Sequence, residues 1–360
     1  MDRQASGPGA YAGSCVSRPA RGIIMQSLWL HFALLIGSAI TIYLSCELFV
    51  NGIEWTGRKL AIGQKATGSI LAAFGTALPE SVVTFVAVAF GASAADKELG
   101  IGAALGGPLA LATIAYATVG VALLLRRQYL PQTIEIRGDF RGLARDQGWF
   151  LAIFVFKIGL GLIAFAWKPW LGFLFLAAYA LYVRQEMIGS EGDAEGEMAP
   201  LTFAPRAAVP GTGVAVCQTF VALVIIFLAS RLFVAQLGAL GPALGLAPQL
   251  LALLLSPIAT ELPETMNAII WVRQGKYRLA LANISGAMMI QATIPTAFGL
   301  FWTRWLLDPP LLLAAATTAL AVAIMFIAFR SGVVSRRLLA LMGLLYLAFA
   351  ALLVLLHLGG

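Results

Sequence analysis

Gly75-Thr76-Ala77-Leu78-Pro79-Glu80 and Ala259-Thr260-Glu261-Leu262-Pro263-Glu264 say nearly the same thing, with Glu80 and Glu264 lying 184 positions apart. Each sets a carboxylate directly after a proline, deep inside an apolar run. A charged side chain at the centre of a bilayer-spanning helix costs about 3 kcal/mol on insertion scales, and a proline there interrupts the backbone hydrogen-bond ladder. Both costs incurred twice, in matching places, mark a site. The echo continues downstream. Gly106-Gly107-Pro108-Leu109-Ala110-Leu111-Ala112-Thr113-Ile114 aligns with Gly286-Ala287-Met288-Met289-Ile290-Gln291-Ala292-Thr293-Ile294, and both end in Ala-Thr-Ile. One unit is duplicated, built around a pair of intramembrane acids.

Sixty per cent hydrophobic residues, 11% charged residues and a mean hydropathy of +0.88 describe an integral membrane protein. Apolar runs long enough to span a bilayer recur at 28–50, 62–90, 99–125, 147–167, 169–184, 212–236, 246–272, 279–302, 308–330 and 335–357. The fourth and fifth are separated only by Lys168-Pro169. Continuous runs of this kind argue against the alternating strands of a closed barrel. The expected fold is therefore all-α: a polytopic membrane protein with ten transmembrane helices.

Cys15, Cys46 and Cys217 have no metal or disulfide spacing, and His31 and His357 sit alone at opposite ends of the chain as interfacial residues. The net charge of +7 does not point to nucleic acid, because the basic residues flank the apolar runs. Counted by alternate loops, the side carrying the N-terminus holds seven Lys and Arg and the other side fifteen, with Lys65 and Lys157 inside runs, making up the total of 24. The positive-inside rule then places both termini outside a plasma (inner) membrane and the central loop in the cytoplasm.

Residues 1–24, rich in Gly, Ser, Ala and Pro, read as a disordered tail without the features of a secretory signal, and Met25 is a second candidate start. Residues 25–184 form a first five-helix unit and 212–360 a second. Between them 185–211 carries Glu186, Glu191, Asp193, Glu195 and Glu197 and reads as a solvated acidic linker. Five is an odd number, so the second unit must insert upside down. This predicts two inverted five-helix repeats, the plan of many secondary transporters, with the site near the midplane.

Proline lacks an N–H, so Pro79 should free the carbonyl of Gly75 and loosen that of Thr76, and Pro263 should do the same at Ala259 and Thr260. Bare carbonyls at membrane depth persist where a cation or water binds them. Thr76 and Glu80, like Thr260 and Glu264, are four apart and share a helix face. Two such patches meeting make an all-oxygen cage suited to a hard cation such as Ca2+, which takes about 6–8 oxygens, and Na+ can share those ligands. Glu261 adds a third acid, three residues before Glu264. Carboxylates so close do not all ionise easily, which offers a route to proton coupling. Glycines such as Gly102, Gly106, Gly107, Gly159, Gly161 and Gly286 are read chiefly as helix-packing positions. For Gln291, interhelical bonding and site lining stand equal.

These motifs resemble those of the calcium/cation antiporter superfamily, which includes the sodium/calcium exchangers. Its two inverted repeats carry a Gly-Thr-Ser-Leu-Pro-Glu type motif, followed one helix later by a Gly-Asn…Gly-Ser-Asn stretch. The resemblance covers residues 62–115 and 248–299, and implies that Glu80, Thr76, Glu264 and Thr260 coordinate transported ions. The departures are specific. The motif serine is Ala77 in one repeat and Glu261 in the other; Gly106-Gly107-Pro108 and Gly286-Ala287-Met288 replace the Gly-Ser-Asn stretch. The polar ligand a turn later is Leu111 and Gln291, and of the upstream asparagines only Asn283 remains, opposite Ala103.

The resulting expectation is a secondary antiporter, not an enzyme and with no cofactor, exchanging Ca2+ or a similar cation for Na+ or H+. Its ligands would be Gly75, Thr76, Glu80, Ala259, Thr260, Glu261, Glu264, Asn283 and Gln291. Its partners are the transported cations and the lipid bilayer. A proton-coupled exchanger in which Glu261 titrates, and a transport-inactive scaffold, are the alternatives. An intramembrane enzyme is disfavoured, since the apolar runs lack an aspartate pair, a His-Glu-x-x-His or a Ser–His constellation.

Overall fold

The computed structural model describes residues 18–59, 64–125, 135–137, 140–189, 199–207, 210–273 and 275–356. Residues 1–17 of the expected tail lie outside the described residues, whereas 18–24, expected to be disordered, form the start of a helix; of the expected linker, residues 190–198 and 208–209 lie outside them, and 185–189 end a helix. The chain is built from α1 (Arg18–Lys59), α2 (Gln64–Phe90), α3 (Ala94–Ala110), α4 (Tyr116–Leu125), α5 (Arg141–Leu162), α6 (Leu171–Gly189) and α7 (Thr212–Leu244). There follow α8 (Pro248–Thr260), α9 (Leu262–Arg273), α10 (Tyr277–Trp302), α11 (Pro309–Arg330) and α12 (Arg336–Leu355). Each apolar run read from the sequence falls chiefly on helix, the fourth leaving it after Leu162. The third is α3 and α4 joined through a π-helical turn at Leu111–Ala115, and the seventh is α8 and α9 joined at Glu261.

Among the described residues six helical segments have the length and apolarity to cross a membrane: Leu28–Phe49, Ala94–Leu125, Thr212–Gly241, Tyr277–Trp302, Pro309–Arg330 and Arg336–Leu355. Of these α10 is the most enclosed by protein and α12 the least. The outward faces are oily. Ile36, Ile40 and Leu44 on α1 are exposed at four-residue spacing, and Leu341, Leu344, Leu347 and Val354 are exposed along α12. Glu80, Glu264, Lys157, Gln147 and Gln291 are buried. Apolar outside with ionisable groups inside is the arrangement a lipid solvent selects, and the protein is an integral membrane protein.

Lipid supplies no hydrophobic drive for helix pairing, so contacts depend on close backbone approach. α12 lies against α4 at Gly120, where a Cβ would stand 2.1 Å from the amide nitrogen of Ala340. α3 lies against α8 at Gly106, where a Cβ would stand 2.6 Å from the Leu253 carbonyl oxygen. Gly159 and Gly286, expected to pack in the same way, face open space instead. α1 runs along α7, and α10 sits at the centre against α2, α5, α6 and α9.

Three sets of contacts tie the connecting segments. β1 (Glu135–Arg137) pairs antiparallel with β2 (Val333–Ser335), Ile136 opposite Val334. Lys168 Nζ donates to the carbonyls of Ile163 (2.7 Å) and Trp305 (2.8 Å), while Leu307 N–H donates to Gly161 (3.0 Å). Asn51, near the end of α1, accepts from the amide of Thr202 (3.0 Å) and the side chain of Gln218 (2.9 Å). The all-helical expectation missed the strand pair, because three residues at a helix end carry no periodicity to read.

The prolines act differently from expectation. α2 runs unbroken through Pro79. In the second motif the helix stops at Glu261 (φ −95°, ψ 3°), whose N–H closes on the Pro257 carbonyl at 2.9 Å. Pro263 then falls in the first turn of α9, where an N–H has no intrahelical partner to lose.

Candidate functional site

α2, the α8–α9 junction and α10 bring the two motifs together. Glu80 is fully buried on α2, and its Oε2 accepts a hydrogen bond from Thr260 Oγ1 at 2.5 Å. Thr260 is the last residue of α8, and its hydroxyl also lies 3.0 Å from the Ser256 carbonyl. A hydroxyl on the second motif thus holds the carboxylate of the first.

At the helix break, Glu261 Oε1 accepts from Gln291 Nε2 of α10 at 2.5 Å. Gln291 is fully buried and is pressed from the other side by Gly107 of α3, where a Cβ would lie 2.7 Å from Gln291 Oε1. Glycine at 107 is what gives the amide its room. Glu264 is fully buried in the first turn of α9, where the positive end of the helix dipole favours a carboxylate. The charges of Glu80 and Glu264 both bear on Glu261.

Three oxygens in this region, Glu80 Oε1, Glu261 Oε2 and Gln291 Oε1, are buried without a hydrogen-bond partner among the described residues. Buried polar atoms are nearly always partnered, and each exception calls for a reason such as an ion or a water. Carboxylate, hydroxyl and amide oxygens are the donors a hard cation prefers. Among the described residues no three Asp, Glu, His or Cys side chains form a ready-made metal cluster. A cation held here would therefore draw on hydroxyl, amide and carbonyl oxygens as well as on acids.

Lys157 is the residue that sequence reading placed within a run but not within the site. It is fully buried on α5, with Nζ donating to the Ala104 carbonyl of α3 at 3.3 Å and lying 4.9 Å from the centre of the Phe154 ring. Its charge bears on Glu80. The Trp305 indole N–H donates to the Lys157 carbonyl at 3.1 Å and fixes that turn of α5. The signal was available: a lone lysine between Phe156 and Ile158, in the middle of an apolar run, needs a partner. Ser256-Pro257, a second proline step before the motif, was also passed over.

The other expected ligands divide. Gly75 and Thr76 lie in α2 and Ala259 in α8, but their side chains are outside the described residues. Asn283 is half-buried on α10, and its Nδ2 makes no hydrogen bond among the described residues. Its amide is not joined to the carboxylates.

The fold has solved counterparts. The H+/Ca2+ exchanger CAX superposes with a TM-score of 0.69 at 16% identity, over 94% of this chain and 89% of that one. YfkE superposes with a TM-score of 0.62 at 13% identity, over 90% of each chain. The sodium-calcium exchanger NCX_Mj, soaked with 10 mM Na+, gives 0.54 at 18% identity, over 90% of this chain and 99% of that one. No curated protein sequence matches the chain. The sequence pattern of the family described as "Sodium/calcium exchanger protein" matches residues 30–184 and 214–357, one segment in each half. The two matched segments contain Glu80 and Glu264 respectively, and the chain belongs to the sodium/calcium exchanger protein family.

Proposed function

We propose that the protein is a secondary antiporter that moves Ca2+, or a divalent cation of similar size and hardness, in exchange for Na+ or H+. The site is the region where Glu80, Thr260, Glu261, Glu264 and Gln291 converge, with the chain crossing the membrane ten times as two inverted repeats. The observation that carries this reading is the Thr260–Glu80 hydrogen bond, which joins the duplicated motifs across the interface between halves. A transporter of inverted repeats needs its ligands at that interface, so that rocking one half against the other opens the same site to alternate sides.

The residues divide the work. Thr260 orients one Glu80 oxygen and leaves Oε1 for a cation. Gln291 does the same at Glu261, leaving Oε2. A divalent ion and a pair of monovalent ions compete for these oxygens because the acids, buried from water, must be neutralised by one or the other. Family membership and the likeness to CAX and NCX_Mj support a cation antiporter of this kind. A second reading, coupling to protons alone, is favoured by Glu261, which stands where the family motif has serine and adds an acid able to accept a proton.

The test is ⁴⁵Ca2+ flux into proteoliposomes under imposed sodium and proton gradients. Wild type should accumulate Ca2+ against at least one gradient, while Glu80→Gln and Glu264→Gln should each abolish uptake and still purify as folded protein. Wild-type flux in either variant would remove the paired-acid site.

A further inference from the structure

The two aligned stretches share Ala-Thr-Ile and then part in bulk. Continued without a gap, they set Thr118, Val121 and Ala122 of α4 against Phe298, Phe301 and Trp302 of α10. The Pro-Glu alignment likewise sets Ile269 of α9 against Phe85 of α2. Around α10 the rings close the helix interface. Phe85 lies 5.0 Å from Phe298 and 5.6 Å from Trp302 between ring centres. Phe301 presses on Gly172 of α6, where a Cβ would stand 2.4 Å from the ring. Around α4 the matching positions hold small or aliphatic side chains, and a groove of about 600 Å³ stands there instead. Thr118, Val121, Ala122 and Ile269 all line it, with Gly343 of α12 opposite. Its size falls within the roughly 300–1,000 Å³ of small-molecule sites.

We infer that this groove binds an anionic phospholipid, with one acyl chain lying along α4 and the phosphate held at Arg273. Length is the first argument. From Ile114 to Leu125 the α4 wall rises about 16 Å at 1.5 Å per residue, close to half of the roughly 30 Å hydrocarbon core, so it measures one leaflet. Exposure is the second. Val121 and Leu125 are 46% and 80% exposed, so the wall opens to the solvent around the protein, which is lipid. Charge is the third. Arg273 lines the groove as the last residue of α9, beside Leu125, the last of α4, and so stands at headgroup depth. Lys276 and Arg337 are exposed just beyond α9 and at the start of α12, and Arg126-Arg127 follow α4 in the sequence. The close approaches of Gly120 to Ala340 and of Gly343 to Ala117 run α4 and α12 antiparallel, which sets these basic ends on one face. The charge count reads that face as cytoplasmic, where anionic lipid is enriched and basic pockets between helices take up its headgroups. A second copy docked isologously would bring the same basic ends against these, whereas a phosphate complements them. The bound lipid braces α9, whose first turn carries Glu264. The site does not depend on which ion is carried.

The experiment adds dioleoyl phosphatidylglycerol, dioleoyl phosphatidylcholine or inorganic phosphate to the purified protein in detergent. Native mass spectrometry reads bound lipid, and the thermal unfolding midpoint reads its effect. Wild type should retain phosphatidylglycerol and gain roughly 3 °C or more over phosphatidylcholine, with no gain from phosphate alone. Arg273→Gln keeps the groove and removes the charge, so it should fold and lose about two thirds or more of that difference. Ala122→Trp installs the ring that stands at the matching place on α10, and should lose both the bound lipid and the gain.

Equal gains from the two lipids in wild type, or an undiminished preference for phosphatidylglycerol in Arg273→Gln, would overturn the inference. A gain from inorganic phosphate equal to that from phosphatidylglycerol would do the same, since it would make Arg273 part of a plain anion site. A dimer that Ala122→Trp dissociates would assign the groove to a second copy of the chain and would overturn it as well. Should Ala122→Trp fail to fold, the comparison of wild type with Arg273→Gln still decides.

Discussion

Thr260 and Glu80 stand 180 residues apart in the chain, and the hydroxyl of the first donates to the carboxylate of the second at 2.5 Å. Hydrogen bonds to charged groups contribute about 1.5–3 kcal/mol. Thr260→Val keeps shape and removes the donor, so the Glu80 carboxylate loses its orientation. Cation affinity should fall by roughly tenfold to a hundredfold, corresponding to that range of energies. Thr260→Ser retains the hydroxyl and should stay near wild type. The Ca2+ concentration giving half-maximal uptake in proteoliposomes checks both. Equal values for the valine and serine variants would show that the bond does not set affinity.

Gly106 and Gly107 are neighbours with different fates on substitution. At 106 a Cβ meets the backbone oxygen of Leu253 at 2.6 Å, and backbone cannot step aside without moving α8. Gly106→Ala should therefore cost about 1–3 kcal/mol of stability or more through overpacking. At 107 the obstruction is Gln291 Oε1 at 2.7 Å, the end of a flexible side chain. Gly107→Ala should fold but push Gln291 off Glu261, weakening cation uptake with little change in unfolding temperature. Fluorescence-detected thermal unfolding, paired with flux, separates the two. A transport defect without a stability loss in Gly106→Ala would contradict the packing argument.

The paired Pro-Glu motifs made the helical membrane fold and the family legible, because a carboxylate beside a proline in an apolar run has few explanations and two equivalent ones have fewer. Gln291 was legible as a residue for interhelical bonding or site lining alike. The structure supplies Glu261, which lies across the interface between α10 and the α8–α9 break. The position of that break was not legible. Pro263 suggested a disturbance one turn upstream, whereas placing a proline in the first turn of a new helix is the less costly solution, and Glu261 takes the bend. Lys157 shows the other limit. Its burial follows from its run, but which helix its ammonium reaches depends on the packing of α5 against α10 and α11, and no local periodicity encodes that. The polar positions missing from the first repeat are explained in part by Gly106 and Gly107, where backbone-close packing takes the place of ligand side chains.

Lys168 joins two connecting segments by donating to Ile163 and Trp305 at 2.7 and 2.8 Å. Lys168→Met keeps most of the apolar stem and leaves both carbonyls without that donor. The expected loss is about 1–3 kcal/mol, read as a lower unfolding temperature in detergent. Trp305→Phe removes the indole N–H that holds the Lys157 carbonyl together with part of a fully buried ring system. It should lower the unfolding temperature through the cavity it leaves and disturb uptake as well, since it loosens the turn that carries the buried ammonium. If Lys168→Met unfolds at the wild-type temperature, the tie is ornamental.

The final prediction concerns sidedness, and it rests on two independent observations. Alternate loops carry fifteen against seven basic residues, which places residues 185–211 in the cytoplasm and both termini outside. The three sets of ties between connecting segments obey the same parity. β1 and β2 follow the third and ninth apolar runs, Asn51 and Thr202 follow the first and fifth, and Lys168 and Trp305 follow the fourth and eighth. Odd joins odd and even joins even, as ten crossings require; an extra or missing crossing between any tied pair would set its members on opposite faces. The check is labelling of single cysteines introduced at 190–197 and after His357 with a membrane-impermeant maleimide in intact cells. Cys217 must be replaced first, because it is exposed on α7 and would label in permeabilised controls. Residues 190–197 should react only after permeabilisation, and the C-terminal position should react without it. Labelling of 190–197 in intact cells would invert the assignment while leaving the parity of the ties intact. Labelling of both positions from one side would break the parity itself, and with it the reading of the two halves as inverted repeats.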